Sequence, residues 1–382
     1  VHEFYHLLCP PCAAHGMAKR AARADMRGRV ALVTGGRAKI GMYVALRLLR
    51  DGAHVTITTR FPRDAARRFV ALAKADASNG DSGPADWLDR LTIVSIDLRD
   101  PRQVLALAAM FPVLDVLVNN AAQTIRRSAG AYAPLVEGEH LPLEGAAPEI
   151  RVLGGYVQSL LPALDLPSPL KIAAEEDTVA KPDVNALVYA VAPTLRAQLG
   201  PPRLDVLDAA GLQPDSGKAN TWTNPIGSVP AAEVLEVQLC NAVAPFLLLN
   251  SLRPALVAAS SQASPSRRYA YVVNVTAAEG QFHRYKTPGH AHTNMAKAGL
   301  NMLTRTVGAE LAACGVLVTS VDTGWVTDER PWEEKCTAAA AGFTCPLDLE
   351  DGAARVYDPI VRGEAGEALH SVLLKDYGVA PW

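Results

Sequence analysis

Residues 30–41 read Val30-Ala31-Leu32-Val33-Thr34-Gly35-Gly36-Arg37-Ala38-Lys39-Ile40-Gly41. An aliphatic run stops at a glycine pair, and from Met42 to Arg50 apolar residues recur at helical spacing before Asp51-Gly52. The stretch predicts a strand, a tight turn and a helix. Glycine in such a turn lets backbone N–H groups approach a pyrophosphate, and a helix N-terminus favours the negative charge. Thr34, Gly35, Gly36, Arg37, Lys39, Ile40 and Gly41 are therefore candidate dinucleotide contacts. The plainer alternative is an ordinary surface turn of an α/β protein.

Outward from this turn the same alternation continues. His54 to Thr59, Leu91 to Ile96, Leu114 to Val118, Tyr269 to Val275 and Val316 to Val321 read as further strands. Pro101 to Met110, Val234 to Leu252 and Thr293 to Ala312 read as helices. Apolar strands separated by helices predict a doubly wound parallel α/β sheet of Rossmann type, covered on both faces. That domain is expected over 28–122 and 231–330. Between its halves, 123–230 holds 13 of the chain's 27 prolines, a density that predicts loops with a few short helices, such as Tyr156–Leu161 and Val184–Leu195. This insertion reads as a structural elaboration or as a lid over a ligand site. Residues 331–382 read as a C-terminal extension, with a helix around Asp351 to Tyr357 and a tail.

Composition bounds the function. With 382 residues, 49% hydrophobic and 20% charged, the chain has too much apolar surface to stay disordered. A net charge of −2 lacks the basic excess of a dedicated nucleic-acid binder. No apolar run approaches the ~20 residues of a membrane span, so a soluble intracellular protein of cytoplasm or organelle matrix is expected. The first residue is Val1, which suggests a missing upstream piece and leaves the compartment open. The cysteines at 9, 12, 240, 314, 336 and 345 read as reduced thiols.

Three further strand ends carry residues where a dinucleotide needs selectors. Arg60 ends the second strand, where a cation suits a 2′-phosphate and so NADP over NAD. Asp97, with Leu98, ends the third and is placed to hold an adenine amino group; Asn119 and Ala121, in Asn119-Asn120-Ala121-Ala122, end the fourth.

These residues resemble the short-chain dehydrogenase/reductase superfamily. The turn is similar to its T-G-x-x-x-G-x-G, Ile96-Asp97-Leu98 to its acidic motif, and Asn119-Asn120-Ala121-Ala122 to N-N-A-G. Asn241 with Pro245 resembles the asparagine helix motif; Asn274 to Ala277 and Thr293 to Lys297 fall where the catalytic-serine strand and Y-x-x-x-K belong. The resemblance implies carbonyl reduction by hydride transfer, with a tyrosine acid activated by lysine, a serine donor and an asparagine relay. Here Lys297 and Asn241 remain, the tyrosine position is Thr293 and the serine position is Ala277. The subgroup it is most similar to is an atypical one, with a cysteine-bearing N-terminus and a long insertion.

The departures are chemical. A phenol near pKa 10 can be drawn toward neutrality by a cation, whereas an aliphatic hydroxyl lies nearer the ~15.7 of water. Thr276 is expected to face away from the serine position, because adjacent strand residues point to opposite sides. A relocated acid would have to be Tyr285 or His292. Lys39 stands at the motif's middle glycine, to add a phosphate contact or to fill the site, and Thr323 replaces a proline near the nicotinamide.

Before the first strand, Cys9-Pro10-Pro11-Cys12, with His2, His6 and His15 nearby, has the spacing of half a structural zinc site, with Cys9 and Cys12 as metal ligands; the alternative is a packed segment without metal. Two functions stand: a nucleotide-binding component that has lost the chemistry, as a homo-oligomer or a hetero-complex subunit, or an NADP-dependent oxidoreductase with a displaced acid.

Overall fold

The computed structural model describes residues 2–78, 85–143, 145, 147–154, 207–214, 219–262 and 269–382. The helices expected at Tyr156–Leu161 and Val184–Leu195 lie outside the described residues. In chain order the elements are α1 (Pro10–Ala21), β1 (Val30–Val33), α2 (Lys39–Arg50), β2 (His54–Thr59), α3 (Pro62–Ser78), β3 (Leu91–Ser95) and α4 (Pro101–Ala108). Then follow β4 (Val116–Asn119), α5 (Ala133–Gly138), β5 (Glu149–Val152), α6 (Ala231–Gln238) and α7 (Ala244–Ser261). The chain closes with β6 (Ala270–Thr276), α8 (Ala291–Ala312), β7 (Val316–Asp322), α9 (Trp332–Ala340), α10 (Leu349–Glu364), β8 (Val372–Lys375) and β9 (Gly378–Ala380).

The strands form one sheet in the order β5-β3-β2-β1-β4-β6-β7-β8-β9, parallel throughout except for the antiparallel β9. Each strand sends alternate residues to opposite faces. Ala31 and Val33 meet Val44 and Leu48 of α2, Phe69 of α3 and Val356 and Ile360 of α10 on one side. Leu32 and Leu117 meet Val104 and Leu107 of α4 and Leu248, Leu252 and Leu256 of α7 on the other. This is the doubly wound architecture expected. Chain order reverses at β1, which pairs with β2 on one side and β4 on the other. A ligand crevice opens at such a point, beyond the strand ends.

Three strands were not legible. The four residues of β5 come from the insertion and extend the sheet beside β3, and their half-exposed pattern carries little periodicity. The end of the chain is more than a helix and tail: α10 packs on the sheet, and β8 and β9 join it.

The run Ala231–Ser261 is long and apolar enough to cross a bilayer by length and composition, which the sequence reading missed. Its apolar side chains Leu248, Leu252 and Leu256 are buried in the core. Leu239–Val243 form a π-helical turn between α6 and α7. Pro245 has no N–H to give the Asn241 carbonyl one turn back, which explains the widened turn.

Candidate functional site

A cleft of roughly 1030 Å³ runs along the C-terminal ends of β1, β2, β4, β6 and β7. The glycine turn forms its floor. Thr34 Oγ1 accepts the Asn120 and Ala121 N–H groups at 3.0 Å each, and Asn120 Nδ2 donates back to the Thr34 carbonyl at 2.9 Å. These bonds staple the turn to the end of β4. Gly35 has φ +68°, and a Cβ there would lie 2.9 Å from Ala121 Cα, so a backbone cradle survives only as glycine.

Gly35, Arg37, Lys39, Ile40, Gly41, Arg60, Asp97, Leu98 and Ala121 all line the cleft. Thr34, Gly36 and Asn119 are not among its lining residues. Thr34 is the buried staple, Gly36 packs tightly on Ile57, and Asn119 donates to Asn274 Oδ1 at 2.8 Å, tying β4 to β6. Lys39 holds φ +53°, the left-handed conformation for which its position normally uses glycine.

At one end of the cleft two cations gather around aromatic rings. Arg60 lies 5.1 Å over the Tyr132 ring, Arg37 lies 5.6 Å over Phe61, and the Phe61 and Tyr132 rings stack at 5.9 Å. Arg37 is held by Asp64 at 2.6 Å. Asp97 is buried, and its carboxylate is gripped by the Arg99 guanidinium, with Nη2–Oδ2 at 2.6 Å; Arg99 also reaches Glu236 at 3.0 Å. Sequence reasoning missed Tyr132, which comes from the insertion and sits in no motif.

The other end holds Lys297, Thr293 and Ala277 together in the wall. Lys297 Nζ donates to the Val275 carbonyl at 2.8 Å, and burial pushes its ammonium down to about 8. The Thr293 hydroxyl points to the Thr124 carbonyl at 3.4 Å. Thr276, the last residue of β6, also lines the cleft beside Ala277. Its Oγ1 is buried and makes no hydrogen bond among the described residues. Cys240 joins them, its thiol pushed up to about 11 by burial and so kept protonated.

The relocated acids fare differently. Tyr285 reaches the rim but is 91% exposed. His292 is 3% exposed and is not among the lining residues; its Nε2 lies 3.8 Å from Glu233 Oε1 on α6, and burial depresses its pKa. One residue from Thr293 on α8 is about 100° round the helix, which turns His292 away from the cleft. Asn241 also departs from expectation. Its amide exchanges two hydrogen bonds with the backbone of Gln123, at 2.7 and 2.9 Å, so the side chain positions the loop after β4 and does not line the cleft.

The zinc expectation is not supported. Among the described residues no three His, Cys, Asp or Glu side chains gather as metal ligands. Cys9 and Cys12 are exposed at the start of α1, while His2 caps the Phe4 and Tyr5 N–H groups, His6 lies by Thr344 and His15 packs on Tyr377.

Comparison with known proteins agrees with the architecture. A family model described as short chain dehydrogenase matches residues 29–134. An uncharacterised protein of Acanthamoeba polyphaga mimivirus is 29% identical over 94% of this chain and 68% of its own length. Among solved structures, the carbonyl reductase Sniffer of D. melanogaster aligns at TM-score 0.53 and 17% identity, covering 93% of this chain and all of that one. An NADPH-bound carbonyl reductase from chicken fatty liver aligns at TM-score 0.51 and 17% identity, covering 94% of this chain and all of that one. At such identities the structural likeness is one of fold. The family match over residues 29–134 and the strand order agree with a fold of the short-chain dehydrogenase type.

Proposed function

We propose that this protein binds NADP(H) in its cleft but lacks the hydride chemistry, acting as a nucleotide-binding component of a larger assembly. The carrying observation is the contrast between the two ends of one cleft. At one end the glycine cradle and the Arg37–Arg60 pair suit a pyrophosphate and a 2′-phosphate. At the other, Lys297 lies with Thr293 and Ala277, so among the described residues neither a phenol acid nor a serine donor stands beside it. Bound NADPH would supply a hydride; among the described residues no group beside Lys297 is matched to protonate the developing alkoxide. Loss of a positioned acid alone removes about 10²–10⁴ in rate.

A second reading keeps the protein an NADP-dependent oxidoreductase, and Tyr285 on the cleft rim favours it. Calorimetry with NADPH and NADH, beside NADPH oxidation over a panel of aldehydes and ketones, separates the two. The first reading expects tighter binding of NADPH and no turnover, with Thr293→Tyr/Ala277→Ser gaining carbonyl reduction. Turnover by the unaltered protein that Tyr285→Phe abolishes supports the second.

Association is inferred from the surface. Leu235, Val243 and Phe246 along α6, the π turn and α7, with Met295 and Met302 of α8, are exposed apolar side chains on adjoining helices. A second copy or another subunit would cover them.

A further inference from the structure

We propose that Glu329 is an internal stand-in for a diphosphate, holding the cleft's cations until a dinucleotide's pyrophosphate displaces it. The inference rests on the reading of the cleft as an NADP(H) site, and it adds a latch and a side-chain contact to it.

Glu329 follows β7 and lines the cleft together with Lys39 and Arg127. Its carboxylate lies 3.7 Å from Lys39 Nζ and 4.0 Å from Arg127 Nη2. Lys335 is near enough to feel Glu329, Lys39 and Arg127 together, and burial with those cations depresses its pKa. Asp328 next door is already forked by Arg330 at 2.6 Å. Two cations therefore share one carboxylate, with a third nearby.

The geometry of that sharing is loose. Other ion pairs in the cleft wall close to 2.6 Å, as Arg37–Asp64 and Arg99–Asp97 do. Glu329 spans a gap between Lys39 and Arg127 without closing on either, as a small anion does in a space fit for a larger one. A diphosphate carries more charge and more acceptor oxygens than one carboxylate, so it competes well for both cations. Lys39 belongs to the glycine turn itself. Its ammonium thus supplies a charge beside the pyrophosphate, in the place where the superfamily motif has a glycine.

Thr327 Oγ1 donates to the Glu329 carboxylate at 3.1 Å, and Asn220 Nδ2 donates to the Glu329 backbone carbonyl at 3.0 Å. Asn220 lies in the insertion, so the backbone that carries Glu329 is tied to it.

The test titrates the full chain with NADPH by fluorescence and with inorganic pyrophosphate by calorimetry, at low and high salt. The proteins are the unaltered chain, Glu329→Gln and Lys39→Gln, each checked for folding by thermal melt. Removing the competitor in Glu329→Gln should tighten both ligands ~3–10-fold, and Lys39→Gln should weaken both ~10-fold with a shallower salt dependence. Equal affinity of all three proteins for both probes, or weaker binding by Glu329→Gln, overturns the latch. If NADPH binds all three alike, the latch fails while the cofactor reading stands. If pyrophosphate follows the expected order while NADPH binds none, the latch stands and the cofactor reading fails.

Discussion

Lys39 holds a left-handed backbone at φ +53°, a conformation that costs a non-glycine residue about 1–2 kcal/mol. Lys39→Gly should therefore raise unfolding stability by about 1 kcal/mol in urea, the loose contact with Glu329 offsetting little. An unchanged or lower midpoint would show that the side chain contributes more than the strain costs. Lys297 makes a prediction of opposite kind. Its folded pKa of about 8 lies below the ordinary lysine value, so between these two pH values the unfolded chain binds more protons. Stability from this group thus rises with pH from about 8 to about 10. In Lys297→Met that rise should disappear, a difference of roughly 1–3 kcal/mol in denaturant melts at pH 7 and pH 10. At this scale the substitutions Thr293 and Ala277 were legible in the sequence, because motif spacing fixes their place beside Lys297. The direction of His292 was not, since a single step along α8 decides which helix it meets.

Among the elements, the first twenty residues change most between sequence and structure. Read as half of a metal site, they instead strap α1 onto α10. Tyr5 OH donates to Asp351, Arg20 pairs with Asp348, Glu350 and Asp351, and Lys19 pairs with Asp358. No local pattern announces such a strap, because its partners lie more than 300 residues away. Tyr5→Phe strips a donor from a buried carboxylate and should cost about 1–3 kcal/mol, with faster tryptic cleavage between Arg20 and Arg27. Unchanged cleavage would mean that the ion pairs alone fasten the segment. Strands β1 to β4, β6 and β7 were legible because burial on both faces enforces continuous apolar runs. The edge strands β5 and β9, and the four-residue β8 beside β9, are too short to carry such a run, and only their partners define them.

Across the whole molecule, the insertion does more than interrupt the fold. It supplies β5 to the sheet, Tyr132 to the Arg60 site, and Trp222 to the cleft wall. The exposed apolar face of α6 to α8 bears on assembly. Light scattering of the isolated chain should give a multiple of its 40.5 kDa, and Phe246→Asp should return it to that single mass. A monomer before substitution would leave a different subunit as the cover.

The central claim is that a dinucleotide site persists where the acid beside Lys297 has gone. Calorimetric titration with NADPH, followed by absorbance of the same samples with carbonyl substrates, tests it most directly. The expected result is saturable NADPH binding, tighter than NADH, with nicotinamide absorbance unchanged over hours. Absence of binding, or steady oxidation of NADPH by the unaltered protein, would contradict it.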